Sequence, residues 1–127
     1  MGNGITTLAS TYTVRSTVDR LESTLRSKGV TIFARIDQQA EAAKVSLTMN
    51  PTELLLFGNP KVGTLLMEAE PLIGLDLPLK ALAWQDNTNK VWLSYNSFAW
   101  LQGRYGLSDE LIKPISAMEG LIRAVVQ

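Results

Sequence analysis

Leu79-Lys80-Ala81-Leu82-Ala83-Trp84-Gln85-Asp86-Asn87-Thr88-Asn89-Lys90-Val91-Trp92-Leu93-Ser94-Tyr95-Asn96 is the stretch from which the fold can be read. Two alternating runs, Leu79 to Asp86 and Lys90 to Asn96, flank the polar turn Asn87-Thr88-Asn89, which is the pattern of a β-hairpin. A hairpin joins antiparallel strands, so a mainly antiparallel sheet packed on helices is expected rather than a doubly wound parallel one. Alternation puts Leu79, Ala81 and Ala83 on one face of the first strand and Lys80, Leu82, Trp84 and Asp86 on the other. In the second strand Val91, Leu93 and Tyr95 oppose Trp92, Ser94 and Asn96. If the small aliphatic face is the core, Lys80, Trp84 and Trp92 line the outer surface, where tryptophans mark an interface or ligand face. Core packing of one or both tryptophans is the alternative.

Upstream, Thr7 to Val14 is rich in Thr, Tyr and Val and predicts a first strand. Ser16-Thr17-Val18-Asp19 predicts a helix start with Ser16 as the cap, Val18, Leu21 and Leu25 at helical spacing, and Gly29 as the stop. Val30 to Ile36 alternates as a second strand, Gln38 to Lys44 reads as a short surface helix, and Glu53 to Phe57 as a buried strand. Pro60 suits the first position of a helix whose apolar face is Val62, Leu65, Leu66 and Ala69. After the hairpin, Ser97 to Tyr105 is expected to be helical up to Gly106. A long C-terminal helix is expected over about 108–126, kinked or restarted at Pro114. The predicted order is β-α-β-α-β-α-β-β-α-α in one α+β domain covering residues 1–127.

Composition removes whole classes of function. Twelve basic residues balance twelve acidic ones, and residues 1–50 hold six and four of them, so no basic stripe points to nucleic acid. The longest apolar runs, such as Leu54-Leu55-Leu56-Phe57, are too short to span a bilayer, and no membrane association is expected. The N-terminus lacks the pattern of a signal peptide, so a cytoplasmic protein is expected, an exported precursor being the alternative. Met1-Gly2-Asn3-Gly4-Ile5-Thr6 satisfies a loose acylation pattern and is read as a plain tail. With neither cysteine nor histidine, the chain has no disulfide, no thiolate or Ser-His-Asp nucleophile, and no usual zinc site. No metal and no cofactor are expected. Acid–base chemistry would require a perturbed Asp, Glu, Lys or Tyr.

The string Pro51-Thr52-Glu53-Leu54-Leu55-Leu56-Phe57-Gly58-Asn59-Pro60-Lys61-Val62-Gly63-Thr64, followed by Met67, resembles domain-of-unknown-function family 302. Leu75-Asp76-Leu77-Pro78-Leu79-Lys80-Ala81-Leu82 continues the resemblance through Trp84 and Asp86 into Val91 to Asn96. Thr17 to Leu21 and Gly29 to Asp37 also match, so the likeness runs from about residue 13 to 107. It implies a TATA-binding-protein-like α+β fold, a tendency to dimerise, and no established activity. Many relatives carry His where this chain has Gln38, and Arg-His where it has Arg104-Tyr105, so a role resting on those histidines is not implied here.

Gly58-Asn59-Pro60-Lys61-Val62-Gly63-Thr64 joins a buried strand to a helix start, where backbone amides favour anions and glycines permit close approach. The spacing departs from a phosphate-binding P-loop, because no Lys precedes Thr64. Gly58, Asn59, Lys61, Gly63 and Thr64 are therefore read as a site for a small anion or carboxylate, against the simpler reading of a helix cap. Asp76 and Lys80 flank Leu77-Pro78-Leu79 and are read as an extension of the site, as a general base, or as an ion pair that holds the loop. Leu65, Leu66, Leu72, Ile73 and Leu75 crowd one short helix and a loop, more apolar side chains than one helix face buries. They are read as the interface of a homodimer. The leading expectation is a non-catalytic homodimeric domain binding a small anionic or carboxylate-bearing ligand, or a protein partner. A small metal-free enzyme using Lys80 and Asp76, and a purely structural assembly module, are the alternatives.

Overall fold

Two hydroxyls, Thr13 and Ser16, compete to start the first helix, and the outcome sets the boundary of the first strand. The computed structural model describes residues 3–127; Met1 and Gly2, which open the acylation pattern, lie outside the described residues. Thr13 Oγ1 accepts from the Ser16 amide at 3.1 Å, so Thr13 is the cap and helix α1 is Val14–Ser27. The expected cap at Ser16 is thus corrected: Ser16 supplies the amide that is capped. Strand β1 is Ile5–Ser10, earlier than the expected Thr7 to Val14. The β-forming run Thr11 to Val14 is overridden because Val14 on the helix is buried.

The chain continues as β2 (Thr31–Asp37), α2 (Gln38–Lys44), β3 (Thr52–Gly58) and α3 (Pro60–Ala69), then a 3-10 turn (Pro71–Leu75). Strands β4 (Leu79–Gln85) and β5 (Val91–Asn96) follow, and then α4 (Phe98–Tyr105), α5 (Asp109–Ser116) and α6 (Glu119–Val125). The order is the predicted one as far as α4, but three helices follow the hairpin where two were expected. The C-terminal helical segment is divided into α5 and α6 after Ser116, not at Pro114, which lies inside α5. There Met118 N–H bonds back to Ile115 at 3.0 Å, tightening the turn that reorients the chain. Gly29 and Gly106 end α1 and α4 with φ of 78° and 61°, a left-handed region that other residues enter at a cost.

All five strands pair antiparallel in the order β1-β5-β4-β3-β2, so β2 to β5 form a meander and β1 returns beside β5. The face carrying Leu55, Phe57, Ala81, Ala83, Leu93 and Tyr95 is buried. Helix α1 lies against it through Val14, Val18, Leu21 and Leu25, each contributing roughly 1.5–3 kcal/mol of burial. Ile115, Ile122 and Val125 of α5 and α6 complete the core. On the opposite face Lys80, Leu82, Trp84, Trp92 and Ser94 are all only half-buried, so the small aliphatic face is the core and both tryptophans lie outside it.

The strict alternation expected for Val30 to Ile36 fails at a bulge. Ile32 stands opposite Phe57 and Ala34 opposite Leu56, consecutive residues of β3 that point to opposite faces. Phe33 is the extra residue and is 51% exposed. The bulge also turns Arg35 toward the helices. There Nε donates to the buried Glu53 at 2.8 Å, and Nη1 donates to Asp19 at 2.7 Å and Glu22 at 3.3 Å. Burial works against the Arg35 cation, but the bonds from Glu53, Asp19 and Glu22 outweigh it and hold the guanidinium charged. At the hairpin, Asp86 Oδ1 accepts from the Thr88 amide and hydroxyl and from the Lys90 amide at 2.9, 2.7 and 3.0 Å. Its Oδ2 accepts from Trp92 Nε1 at 2.9 Å.

Candidate functional site

Asn59 decides how α3 begins. Its Oδ1 accepts from the Lys61 and Val62 amides at 3.0 and 3.4 Å, and its carbonyl accepts from Gly63 N–H at 2.8 Å. The first-turn donors that an anion would need are therefore engaged by the cap. Thr64 Oγ1 donates to the Pro60 carbonyl at 2.7 Å. Neither glycine of the loop is demanded by sterics. A Cβ on Gly58 would stand 3.6 Å from Phe33, and one on Gly63 would stand 3.9 Å from Leu77, both ordinary contacts.

What the loop does form is one end of an open groove of about 320 Å³. One wall is α3, through Pro60, Val62, Gly63, Thr64 and Met67. The other is α5 and the turn after it, through Ile115 and Met118. Phe33, Gly58, Leu77, Pro78 and Leu79 complete its lining. Among the described residues no charged side chain lines it, and the polar side chains that do, Asn59 and Thr64, lie near the start of α3. Such a cavity favours an apolar body with a polar end, at the small end of the size range of ligand pockets. Two methionines and an exposed phenylalanine make its walls adaptable.

The residues expected to form one site are divided between two places. Gly58, Asn59, Gly63 and Thr64 belong to the groove, and exposed Lys61 stands between two of its lining residues without being one of them. Asp76 and Lys80 instead line a crevice of about 10 Å³, room for about one water. They do not pair with each other. Asp76 accepts from Tyr105 Oη and lies 3.6 Å from Arg104 Nη1, whereas Lys80 Nζ donates to the Pro78 carbonyl at 3.1 Å. The hydrogen bond to Asp76, reinforced by desolvation, raises the pKa of Tyr105 and keeps it a donor. Among the described residues no cluster of three or more acidic side chains is arranged to hold a metal ion.

The expected dimer interface also divides. Leu66 and Ile73 are buried within the single chain, so they are not available to such an interface. The reason is geometric: α3 and the 3-10 turn each aim one residue at the core and leave the others outside. Leu65, Leu72 and Leu75 remain 57–73% exposed, with Met67 beside them. Sequence reading missed Phe33, Met67, Leu77, Leu79, Ile115 and Met118 as walls of the groove. Only a signal for the bulge at Phe33 could have found the first of them.

A five-stranded antiparallel sheet with its helical layer on one face defines the class of this domain. The same fold is found in the crystal structure of an uncharacterized conserved protein DUF302 from Bacillus stearothermophilus. The two agree with a TM-score of 0.78 over 97% of this chain and 95% of the other, at 19% identity. The chain belongs to the family described as Domain of unknown function DUF302, which matches residues 6–125. The match takes in α5 and the whole of α6, beyond the stretch of the sequence resemblance. Among curated proteins, the chain is 42% identical over 123 residues to a protein named fluoride-specific ion channel FluC 1 of Brucella suis biovar 1. It is equally similar to one named FluC 2 of Brucella melitensis biotype 1. These alignments cover 94% of this chain but 48% and 46% of the relatives, so the chain spans about half their length. Among its described residues no helix is long and apolar enough to cross a membrane.

Proposed function

We propose that this chain is a non-catalytic, homodimeric binding domain that holds a small, mainly apolar ligand in the groove between α3 and α5. The carrying observation is the composition of that groove, apolar along its walls with two polar side chains near the start of α3. A carboxylate-bearing ligand would lay its apolar body along Val62, Met67, Ile115 and Met118 and bring its carboxylate toward Asn59 and Lys61. The enzyme alternative is weaker, since the crevice at Asp76 and Lys80 has no room for a substrate. In the longer Brucella relatives, channel activity would reside in the half that this chain does not match, with a domain of this kind attached as the binding module.

The test is a fluorescence titration with anilinonaphthalene sulfonate, followed by displacement with octanoate and with octanol. Gly63→Leu would fill the groove while improving helix propensity, by up to about 1 kcal/mol. It should abolish probe binding without lowering the melting temperature. Lys61→Ala should weaken displacement by octanoate but not by octanol. Equal probe binding by wild type and Gly63→Leu would remove the groove from consideration.

A further inference from the structure

The open face of the sheet is apolar where an antiparallel sheet facing water is ordinarily polar. The register aligns its side chains in rows: Ile36, Leu54, Leu82 and Ser94 form one, and Thr52, Trp84 and Trp92 another. The two indole rings stack with centroids 6.3 Å apart. Their N–H groups are already bonded, Trp84 to Ser94 and Trp92 to Asp86, so neither needs a polar partner. Lys80 is the one charged side chain on these facing positions of β3, β4 and β5, and its ammonium is turned back to Pro78. Thr52, Leu54, Leu82, Trp84, Trp92 and Ser94 are each half-buried, next to a fully buried residue of the core face.

From this we infer that the open sheet face is where two copies of the chain meet, sheet against sheet. The inference rests on the homodimeric part of the proposed function and assigns its surface. Size supports it. Five strands of six or seven residues give a face of roughly 24 by 22 Å at the usual strand spacing and rise. Two such faces pressed together remove on the order of 1,000 Å² from water, about what a specific interface needs. Shape supports it as well. A twisted sheet is matched by another with the same twist, the two packing at about −30°, and a second copy supplies that match. The chemistry is self-complementary: an apolar centre at Leu54 and Leu82, flanked by Lys90 over the Trp92 ring at 4.9 Å and by Asp86 on its Nε1, meets its own image across a twofold axis. The exposed Leu65, Leu72 and Leu75 belong to α3 and the 3-10 turn, not to the sheet face.

Sedimentation equilibrium of the full chain, with circular dichroism, tests the assignment through two variants. Leu82→Glu places like charges across the twofold at a half-exposed position, where a monomer would tolerate it. It should give folded monomer, with dimer affinity weakened at least about 100-fold. Leu72→Glu/Leu75→Glu should leave the dimer intact. If the second variant dissociates and the first does not, the dimer forms through the α3 side and this assignment is overturned. Wild type that stays monomeric at roughly 100 μM would overturn it together with the homodimer itself. If Leu82→Glu unfolds, dilution of wild type decides: dissociation should move tryptophan emission to the red, because Trp84 and Trp92 become wetter. Dissociation with unchanged emission would overturn the assignment.

Discussion

Helices α1 and α3 both start from a side-chain cap, at Thr13 and Asn59, yet they serve the molecule differently. Five residues of α1 are buried, and Asp19 and Glu22 on its flank bind Arg35, whose partner Glu53 is buried in the sheet. Only Leu66 of α3 is buried, and Leu65 and Met67 on either side of it are exposed. What separates them is the surface each was given: α1 lies across the middle of the sheet, whereas α3 lines an open groove. A helix that leaves its apolar side chains unburied sacrifices stability that it could have had, and such surplus apolar surface is where a binding function is to be sought.

The largest effect that would break this contrast is expected at Arg35. Arg35→Met leaves Glu53 buried without its partner and should cost about 3–5 kcal/mol in chemical denaturation. A loss within about 0.5 kcal/mol would show that the α1 side is held by apolar packing alone. Next in size is a pair on α3 itself. Leu66→Ala should cost roughly 2–5 kcal/mol, whereas Leu65→Ala should change stability by no more than about 0.5 kcal/mol in dilute monomer. Equal costs would mean that α3 is packed more completely than its exposure indicates. Smallest are the caps. Thr13→Ala should cost about 1 kcal/mol and Ser16→Ala a few tenths, because Ser16 contributes its amide and not its hydroxyl. The reverse ranking would restore Ser16 as the cap.

The hairpin was legible because it depends on neighbours in sequence: period-two runs and a polar turn define it without outside help. The cap was half legible, since two hydroxyls three residues apart offer the same signal and only burial of Val14 chooses between them. The apolar crowding from Leu65 to Leu75 announced an unusual surface, but composition carries no direction and could not say that Leu66 and Ile73 turn inward. The groove was legible at one end only. Asn59, Gly63 and Thr64 are contiguous in the chain, whereas Phe33, Leu77, Ile115 and Met118 arrive from a bulge, a loop and the C-terminal helices. Long-range walls of that kind leave no local pattern to find. Asp76 and Lys80 looked paired from spacing, and each instead took a closer partner.

The Asp86 turn makes the hairpin sensitive to protons. The Thr88 hydroxyl and then the Trp92 indole hold the Asp86 carboxyl well below the usual carboxylate range. Because the folded pKa is depressed, the stabilisation is present above the ordinary Asp range and drains away as pH falls through and below it. Protonation removes the acceptor that Thr88, Lys90 and Trp92 share, so acid should loosen the end of the sheet that carries Trp92 before the α1 core gives way. Trp92 is thereby both a wall of the open face and the reporter of its own latch: Asp86→Asn should flatten the acid limb of its fluorescence while leaving the neutral-pH fold in place.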